Sequence, residues 1–497
     1  MRRGEEFRRL LERPRLEIVE SFHWPESTAR RMRGRLLRQN AAMRSSIDFT
    51  LNGERVTVSG EDASRTVLTW LRERRGLAGT KEGCAEGDCG ACTAVVAELR
   101  DGKLRYQPVN TCILCVGALD GRELITVEGL RAHPVQKAMV ECHGSQCGFC
   151  TPGFVMALYA HYKDPGTAAV NDAIAGNLCR CTGYRPIVEA AHRASTLADA
   201  TRDRDEDAAR RKRIESLPTD GAHAGAFYAP ATVAELAAFL VDNPRATLLA
   251  GGTDVGLLIT KHHRDLEAIA YVGKVAELKT IRNTASELEI GAAVTYADAY
   301  EALAGIHPDI GELLRRLGAV QVRAAGTLAG NIANASPIGD SMPVLLALGA
   351  SLTLQKGSAA RQVALDAFYT GYRKTVLQPG EFIRSVRIPK LARGARFGVY
   401  KLTKRFDQDI SAVCAAFHVG EEVRFGFGGM AATPARAPTA ERAWAQGIDA
   451  ACAALAQDFK PLSDQRASSW YRLTAAQNLL RKFHAQVGPR ALLEVQA

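Results

Sequence analysis

Ten of the 12 cysteines in this 497-residue chain lie between Cys84 and Cys181. In a chain without a signal-peptide pattern, clustered cysteines read as metal ligands or redox groups and not as a disulfide framework. The first group is Gly83-Cys-Ala-Glu-Gly-Asp-Cys-Gly-Ala-Cys92, with Cys112 further on. Cys84, Cys89, Cys92 and Cys112 follow C-x4-C-x2-C…C, the plant-type [2Fe–2S] spacing. One short loop must aim three thiolates at a compact cluster and turn backbone N–H groups toward its sulfurs. Gly83, Gly87 and Gly90 allow the backbone angles this needs. A zinc ribbon from Cys89, Cys92, Cys112 and Cys115 is the competing assignment. It leaves Cys84 and the glycines without a role, whereas the iron–sulfur assignment leaves only Cys115, as a small buried apolar residue.

A second group sits in two breaks of a helical pattern: Gly144-Ser-Gln-Cys147-Gly-Phe-Cys150-Thr-Pro-Gly153 and Asn177-Leu-Cys179-Arg-Cys181-Thr-Gly-Tyr-Arg-Pro186. Two helix pairs packed antiparallel would bring both loops to one end and let Cys147, Cys150, Cys179 and Cys181 converge. That set suits a second metal site, with zinc an open alternative. Cys142 is a packing residue on this reading.

Two glycine-rich loops follow. An apolar strand runs into Ala250-Gly-Gly-Thr-Asp254, and a second loop reads Gly326-Thr-Leu-Ala-Gly-Asn-Ile-Ala-Asn-Ala-Ser-Pro-Ile-Gly-Asp340. Adjacent backbone N–H groups in such loops can face a pyrophosphate. On its own the first loop reads as a tight turn; the pair suggests a two-part phosphate clamp.

The elements that must position these residues follow from periodicity. Residues 46–58 alternate around Asn52-Gly53, a hairpin signal. A helix over 64–75 and strands over 92–99 and 122–127 complete a small α+β unit. Helices are expected at 134–142, 152–162, 168–177 and 186–197, with Pro152 and Pro186 in first turns. Residues 198–218, rich in charge, read as an exposed linker. A helix at 231–242 precedes the first glycine loop, and strands at 396–402, 411–418 and 423–429 lead into C-terminal helices. This gives a multidomain α+β organisation: a lead (1–44), an iron–sulfur domain (45–130), a helical cysteine domain (131–200), a linker (201–222), a phosphate-clamp domain (223–392) and an α+β C-terminal subdomain (393–497).

Composition excludes other classes. At 46% hydrophobic and 24% charged residues, the chain is an ordinary globular protein and not a disordered one. There is no apolar run long enough to span a membrane and no repeat of solenoid length. The net charge of +10 invites a nucleic-acid partner, but residues 1–46 hold 12 arginines against six glutamates and so carry most of it. That lead shows no basic cluster interleaved with aromatics, so no nucleic-acid or membrane role is expected. It reads as a disordered arm or as untranslated, with Met43 as the start. A cytoplasmic location is expected.

The motifs GCAEGDCGAC, QCGFCTPG and NLCRCTGYRPI resemble the iron–sulfur part of the molybdenum hydroxylases, the xanthine dehydrogenase and aldehyde oxidase family. AGGTD and GTLAGNIANASPIGD resemble the flavin domain of the same family. The resemblance covers about residues 45–495. It implies a plant-ferredoxin-like β-grasp domain, a four-helix [2Fe–2S] domain and a vanillyl-alcohol-oxidase-type FAD domain. It implies two [2Fe–2S] clusters, on Cys84, Cys89, Cys92 and Cys112 and on Cys147, Cys150, Cys179 and Cys181, with Gln146 against the pterin of a partner. Carried over by motif, Leu248, Leu249, Ala250, Gly251, Gly252, Thr253, Asp254 and Val255, with Thr327, Leu328, Ala329, Gly330 and Asn331, would hold the FAD diphosphate. Asp340 would take a polar group of the cofactor, and Ile383 and Lys401 would line it. Leu317 stands where several relatives have an aromatic. Tyr372 and the loop ending at Asp409 fall near the flavin ring in relatives, where they would influence the choice between NAD and oxygen. The order iron–sulfur then flavin resembles the small subunits of bacterial xanthine dehydrogenases. It implies electron transfer to FAD and NAD from a molybdopterin-bearing large subunit in a heterotetramer, the substrate being oxidised on that other chain. An aldehyde or N-heterocycle as substrate, or a zinc-stabilised binding module, are the alternatives.

Overall fold

A computed structural model of the protein describes residues 43–166 and 168–486. The lead, apart from Met43 and Arg44, lies outside the described residues, so its expected disorder is not addressed. Arg44, counted with the lead from sequence, belongs to the folded unit. Its guanidinium bonds Asp120 and Asp220, each at 2.7 Å, and Asp48 at 3.1 Å.

The first module is a mixed five-stranded sheet crossed by one helix. Strands β1 (Ser46–Leu51) and β2 (Glu54–Ser59) form the expected hairpin, with Asn52 and Gly53 at positive φ in its turn. Helix α1 (Val67–Glu73) is capped by Thr66, whose hydroxyl accepts the Thr69 N–H. Strands β3 (Thr93–Arg100), β4 (Lys103–Asn110) and β5 (Glu123–Ile125) give the order β2-β1-β5-β3-β4, with β1 parallel to β5. Ile47, Phe49, Val56 and Trp70 fill the space between sheet and helix. Strand β4 is not among the expected elements, although residues 103–108 alternate polar and apolar; it pairs antiparallel with β3.

Four helices follow: α2 (Pro134–Glu141), α3 (Thr151–Lys163), α4 (Val170–Ile174) and α5 (Arg185–Thr196). Phe154, Tyr159 and Ile187 share one core with Val95 and Ala97 of β3, so the two cysteine-bearing modules are not separately packed. Helix α4 is shorter than the expected 168–177, because Gly176 and Asn177 leave the helix to meet the first cysteine loop.

The expected linker is instead helix α6 (Ala200–Glu215), capped by Asp199. Its charges are not all solvated. Arg210, 3% exposed, bonds Glu123 at 3.0 Å, Tyr106 at 2.8 Å and Glu206 at 2.8 Å, and Arg213 also reaches Glu123. Local composition could not reveal this, because the counter-charge sits on β5, far away in sequence.

The next module begins with β6 (Ala222–Ala224), β7 (Phe227–Ala229), α7 (Val233–Asp242), β8 (Thr247–Leu249), α8 (Val255–Thr260) and β9 (Ile269–Tyr271), whose strands order as β6-β7-β9-β8. Strands β10 (Ile281–Asn283) and β11 (Glu287–Gly291) precede the helices α9 (Tyr296–Ala304), α10 (Pro308–Arg315), α11 (Val320–Ala325), α12 (Leu328–Ala333) and α13 (Ser341–Leu348). Then come β12 (Ser351–Lys356), β13 (Ala359–Ala364), the short hairpin β14 (Tyr369–Gly371) and β15 (Lys374–Thr375), and β16 (Phe382–Pro389). The second sheet, β10-β11-β16-β12-β13, is antiparallel throughout. The C-terminal part is an antiparallel sheet of β17 (Arg396–Leu402), β18 (Val413–Val419), β19 (Val423–Gly428) and β20 (Ala435–Arg436), covered by α14 (Pro438–Ala443), α15 (Ile448–Asp458) and α16 (Ser469–His484). Phe417, Phe425, Phe427 and Phe483 form its core. Among the described residues no helix is long and apolar enough to cross a membrane.

Candidate functional site

The first cysteine loop gathers its thiols with backbone geometry that a side chain would spoil. Ala85, Gly87 and Gly90 all have positive φ. A Cβ on Gly83 would stand 2.7 Å from Cys89 Sγ. The Asp88 and Cys89 N–H groups donate to Cys84 Sγ at 3.4 and 3.3 Å, and the Ala91 N–H faces Cys89 Sγ. Cys84 lies against Cys112 and Cys89, and Cys92 against Cys112. Hydrogen bonds from Cys112 and Cys89 hold the Cys84 thiol far below its usual range, and those same bonds, with burial adding to them, push Cys112 and Cys89 up. A loop built to gather thiols and donate N–H groups to sulfur has the donor set of an iron–sulfur centre. Cys115, fully buried, is pushed up to about 12 by desolvation and belongs to the core under the sheet.

The second set lies in the loops before α3 and α5. Cys150 lies against Cys179, and Cys147 against Cys181. Burial opposes ionisation of Cys179, but the Thr182 hydroxyl and the N–H groups of Thr182 and Cys181 outweigh it and lower its pKa. Burial and Cys179 push Cys150 up to about 12. In the first set the contacts run Cys89–Cys84–Cys112–Cys92, in the second they are pairwise, and among the described residues no three His, Cys, Asp or Glu side chains meet at the spacing of a single metal ion. The two sets differ in setting: Cys92 and Cys112 are buried, whereas Cys147 and Cys181 are exposed. Gln146, beside Cys147, is also exposed.

The two cysteine loops touch. The Leu178 N–H donates to Cys89 O at 3.0 Å, so one hydrogen bond joins a residue of the first set to the neighbour of Cys179. Asn177 Nδ2 donates to Gly90 O at 2.9 Å. The backbones come this close because a Cβ on Gly90 would lie 2.2 Å from Gly176 O, and one on Gly153 would lie 2.3 Å from Gly90 O.

The glycine loops form the third part. A Cβ on Gly251 would lie 1.8 Å from Ala325 O, which places the loop after β8 directly on the loop before α12. Gly252, at φ +77°, and Gly256 both pack on Ile113 O, next to Cys112. The clamp therefore rests on the first cysteine loop. Asn334 donates to Asp254 at 3.0 Å, and Thr327 caps α12 by accepting the Gly330 N–H. Asn331 Oδ1 accepts from Tyr296 and Ser341. This bare backbone cradle fits a diphosphate, which needs N–H donors and no intervening Cβ. Lys401, buried, bonds Asp340 at 2.8 Å and Arg316 O at 2.9 Å, and Ser411 donates to Asp340 at 2.5 Å.

Several expected residues sit at the margin. Ile383 is buried in β16 opposite Leu354, and Leu317 is half-buried at the end of α10. Tyr372 is exposed at the tip of the β14–β15 hairpin. The Asp409 carboxylate accepts the Lys404 and Arg405 N–H groups at 2.9 and 2.8 Å and so folds its own loop. That loop reaches the cysteine modules through Gln408, which donates to Ala175 O. Sequence reading missed Ile113, Asn177 and Gln321, the residues at which the modules meet. A lone apolar or amide residue carries no local signal of this.

Comparison with known proteins agrees with this division. Residues 49–117 match a 2Fe-2S iron-sulfur cluster binding domain and residues 126–192 a [2Fe-2S] binding domain. Residues 222–391 match the FAD binding domain in molybdopterin dehydrogenase, and residues 398–487 the CO dehydrogenase flavoprotein C-terminal domain. The chain thus carries two iron–sulfur modules and a flavin module of an oxidoreductase. It belongs to the molybdenum hydroxylase family. It is 33% identical over 471 residues to xanthine dehydrogenase of Drosophila pseudoobscura pseudoobscura, covering 79% of this chain and 35% of that one. It is 34% identical over 472 residues to xanthine dehydrogenase of Emericella nidulans, covering 80% and 35%. The chain therefore spans about a third of the length of these relatives. Among solved structures, a Cu,Mo-CO dehydrogenase chain matches at 27% identity with TM-score 0.48, covering 52% of this chain and 94% of that one.

Proposed function

We propose that this chain is the electron-transfer component of an NAD-dependent xanthine dehydrogenase, working with a separate molybdopterin-bearing large subunit in a heterotetramer. The single observation that carries the reading is the continuous contact from one cysteine set to the other and on to the glycine clamp, through Leu178–Cys89 and Gly252–Ile113. Iron–sulfur clusters supply one-electron chemistry and a flavin supplies the conversion to hydride. The chain's own residues hold these groups in series. The second set reaches the surface at Cys147 and Cys181, the first is buried at Cys92 and Cys112, and the 248–255 and 327–331 loops take the FAD diphosphate. Asp340 and Lys401, locked in their buried pair, present fixed polar groups beside it. Next in the chain to cysteines of this set are the apolar side chains of Phe149 and Leu178, 49% and 42% exposed. Apolar surface beside exposed thiols suits the docking of the large subunit there, with Gln146 toward its pterin. Xanthine is the favoured substrate because the full-length relatives bear that name.

The test is to isolate the complex through a tag on this chain from its native host and supply xanthine and NAD. Urate with an equal amount of NADH supports the proposal. A complex holding iron, flavin and molybdenum that forms no urate rejects xanthine and leaves the electron-transfer role with another substrate. A complex that forms urate without NADH rejects NAD as acceptor.

A further inference from the structure

A buried amide in the flavin module has no part in the scheme above. Gln321, on the short helix α11, is 1% exposed. Its Nε2 donates to Asn177 Oδ1 at 2.8 Å and to Thr93 Oγ1 at 3.1 Å, while its Oε1 is buried without a hydrogen-bond partner. Asn177 in turn donates to Gly90 O at 2.9 Å, and Thr93 donates to the same oxygen from its N–H at 3.0 Å and its hydroxyl at 2.7 Å. Gly90 O thus accepts three hydrogen bonds.

That carbonyl belongs to the peptide whose other end is the Ala91 N–H, and this N–H faces Cys89 Sγ. A peptide unit is planar, so fixing its oxygen fixes the direction of its N–H. Gly90 sits at φ +67°, where the backbone would otherwise be free to turn. Hydrogen bonds to the sulfurs are among the levers that set a cluster's reduction potential, because they stabilise the more negative reduced form. The buried amide of Asn177 has to find an acceptor and a donor. Gln321 supplies the donor to its oxygen, and so orients its Nδ2 toward Gly90.

We infer that Gln321 is a positioning residue that raises the reduction potential of the first iron–sulfur centre, acting from the flavin module through Asn177 and the Gly90–Ala91 peptide. The inference rests on the assignment of Cys84, Cys89, Cys92 and Cys112 to a [2Fe–2S] cluster. It ties the setting of that centre to correct seating of the flavin module, since the relay closes only when all three modules are docked.

The experiment uses the full chain with its iron and flavin, in wild-type form and as Gln321→Met, Asn177→Ala and the double variant. Gln321→Met keeps the side chain's length and removes the amide. Iron, sulfide and FAD contents are measured first, then the potentials of both clusters by titration with electron paramagnetic resonance. The expected result is full cofactor content, a more negative potential for the first cluster in Gln321→Met, and an unchanged second cluster. The double variant should move no further than Asn177→Ala alone, because both residues act through one peptide. An unchanged first potential in Gln321→Met, equal shifts of both clusters, or additive shifts in the double variant would overturn the inference. If Gln321→Met loses iron, Gln321→Leu decides: it is apolar, uncharged and cannot donate to Asn177, so the same negative shift is required of it. Wild-type protein without iron–sulfur signals would instead refute the cluster assignment itself.

Discussion

Replacing Gly90 by Ala strikes where the two cysteine loops meet. Gly90 has φ +67°, a conformation that costs an L-residue about 1–2 kcal/mol. The new Cβ would also sit 2.2 Å from Gly176 O and 2.7 Å from Asn177 Nδ2, so the backbones must part by the better part of an ångström. That separation breaks the Asn177–Gly90 and Leu178–Cys89 hydrogen bonds. The Asn177 amide is buried, and an unmade buried hydrogen bond costs about 1–3 kcal/mol. Strain and the two lost bonds together come to roughly 3–8 kcal/mol. Gly148 provides the control: it has φ +83° in the second cysteine loop, but a Cβ there meets nothing within 4 Å. Gly148→Ala should therefore show the strain alone, about 1–2 kcal/mol. Denaturant titration and iron content compare the two. Gly90→Ala should lose iron and several kcal/mol more stability than Gly148→Ala. Equal stability with full iron in both would refute the claim that the loops are held in van der Waals contact through Gly90.

Three further outcomes are expected. His133 caps α2 through Nδ1 and is wedged between Tyr159 and Tyr162; desolvation first, then the Arg202 charge, lowers its pKa from 6.5 to about 4. A His with a depressed folded pKa stabilises the fold fully above the unfolded pKa and loses that contribution as pH falls. Stability should thus drop by about 3 kcal/mol between pH 6.5 and 4, and a His133→Asn variant, which keeps a capping acceptor, should show a flatter profile in denaturant titrations. Arg210→Ala leaves buried Glu123 with Arg213 as its charged partner and the Thr50 hydroxyl as a donor and should cost about 3 kcal/mol, with α6 losing amide-exchange protection before the rest of the chain. Lys401→Met removes the cation from buried Asp340; FAD should bind at least tenfold more weakly, about 1.4 kcal/mol, while iron content is unchanged.

What the sequence made legible was whatever is carried by local spacing. The hairpin at Asn52-Gly53, the proline-started helices and the two cysteine groups could be read directly, because a turn, a helix start or a ligand loop is specified within a few residues. The α6 segment was misread because its charges look solvated until Glu123 and Tyr106, which precede Arg210 by 87 and 104 residues, are brought beside it. The helix at 170–174 ended early for a similar reason: Gly176 and Asn177 serve the first cysteine loop, not their own helix. The relation between parts was the least legible. Ile113 under the glycine clamp and Gln321 against Asn177 are ordinary residues whose roles exist only where three modules meet.

The central claim is that this chain holds two iron–sulfur clusters and a flavin in one connected series. The most direct measurement is cofactor analysis of the purified full chain by metal content, visible absorbance and electron paramagnetic resonance after dithionite reduction. The account predicts a red-brown protein with iron and sulfide in equal amounts, bound FAD, and two distinct [2Fe–2S] signals, of which Cys84→Ser removes one and Cys179→Ser the other. A colourless chain carrying zinc and no flavin would contradict it.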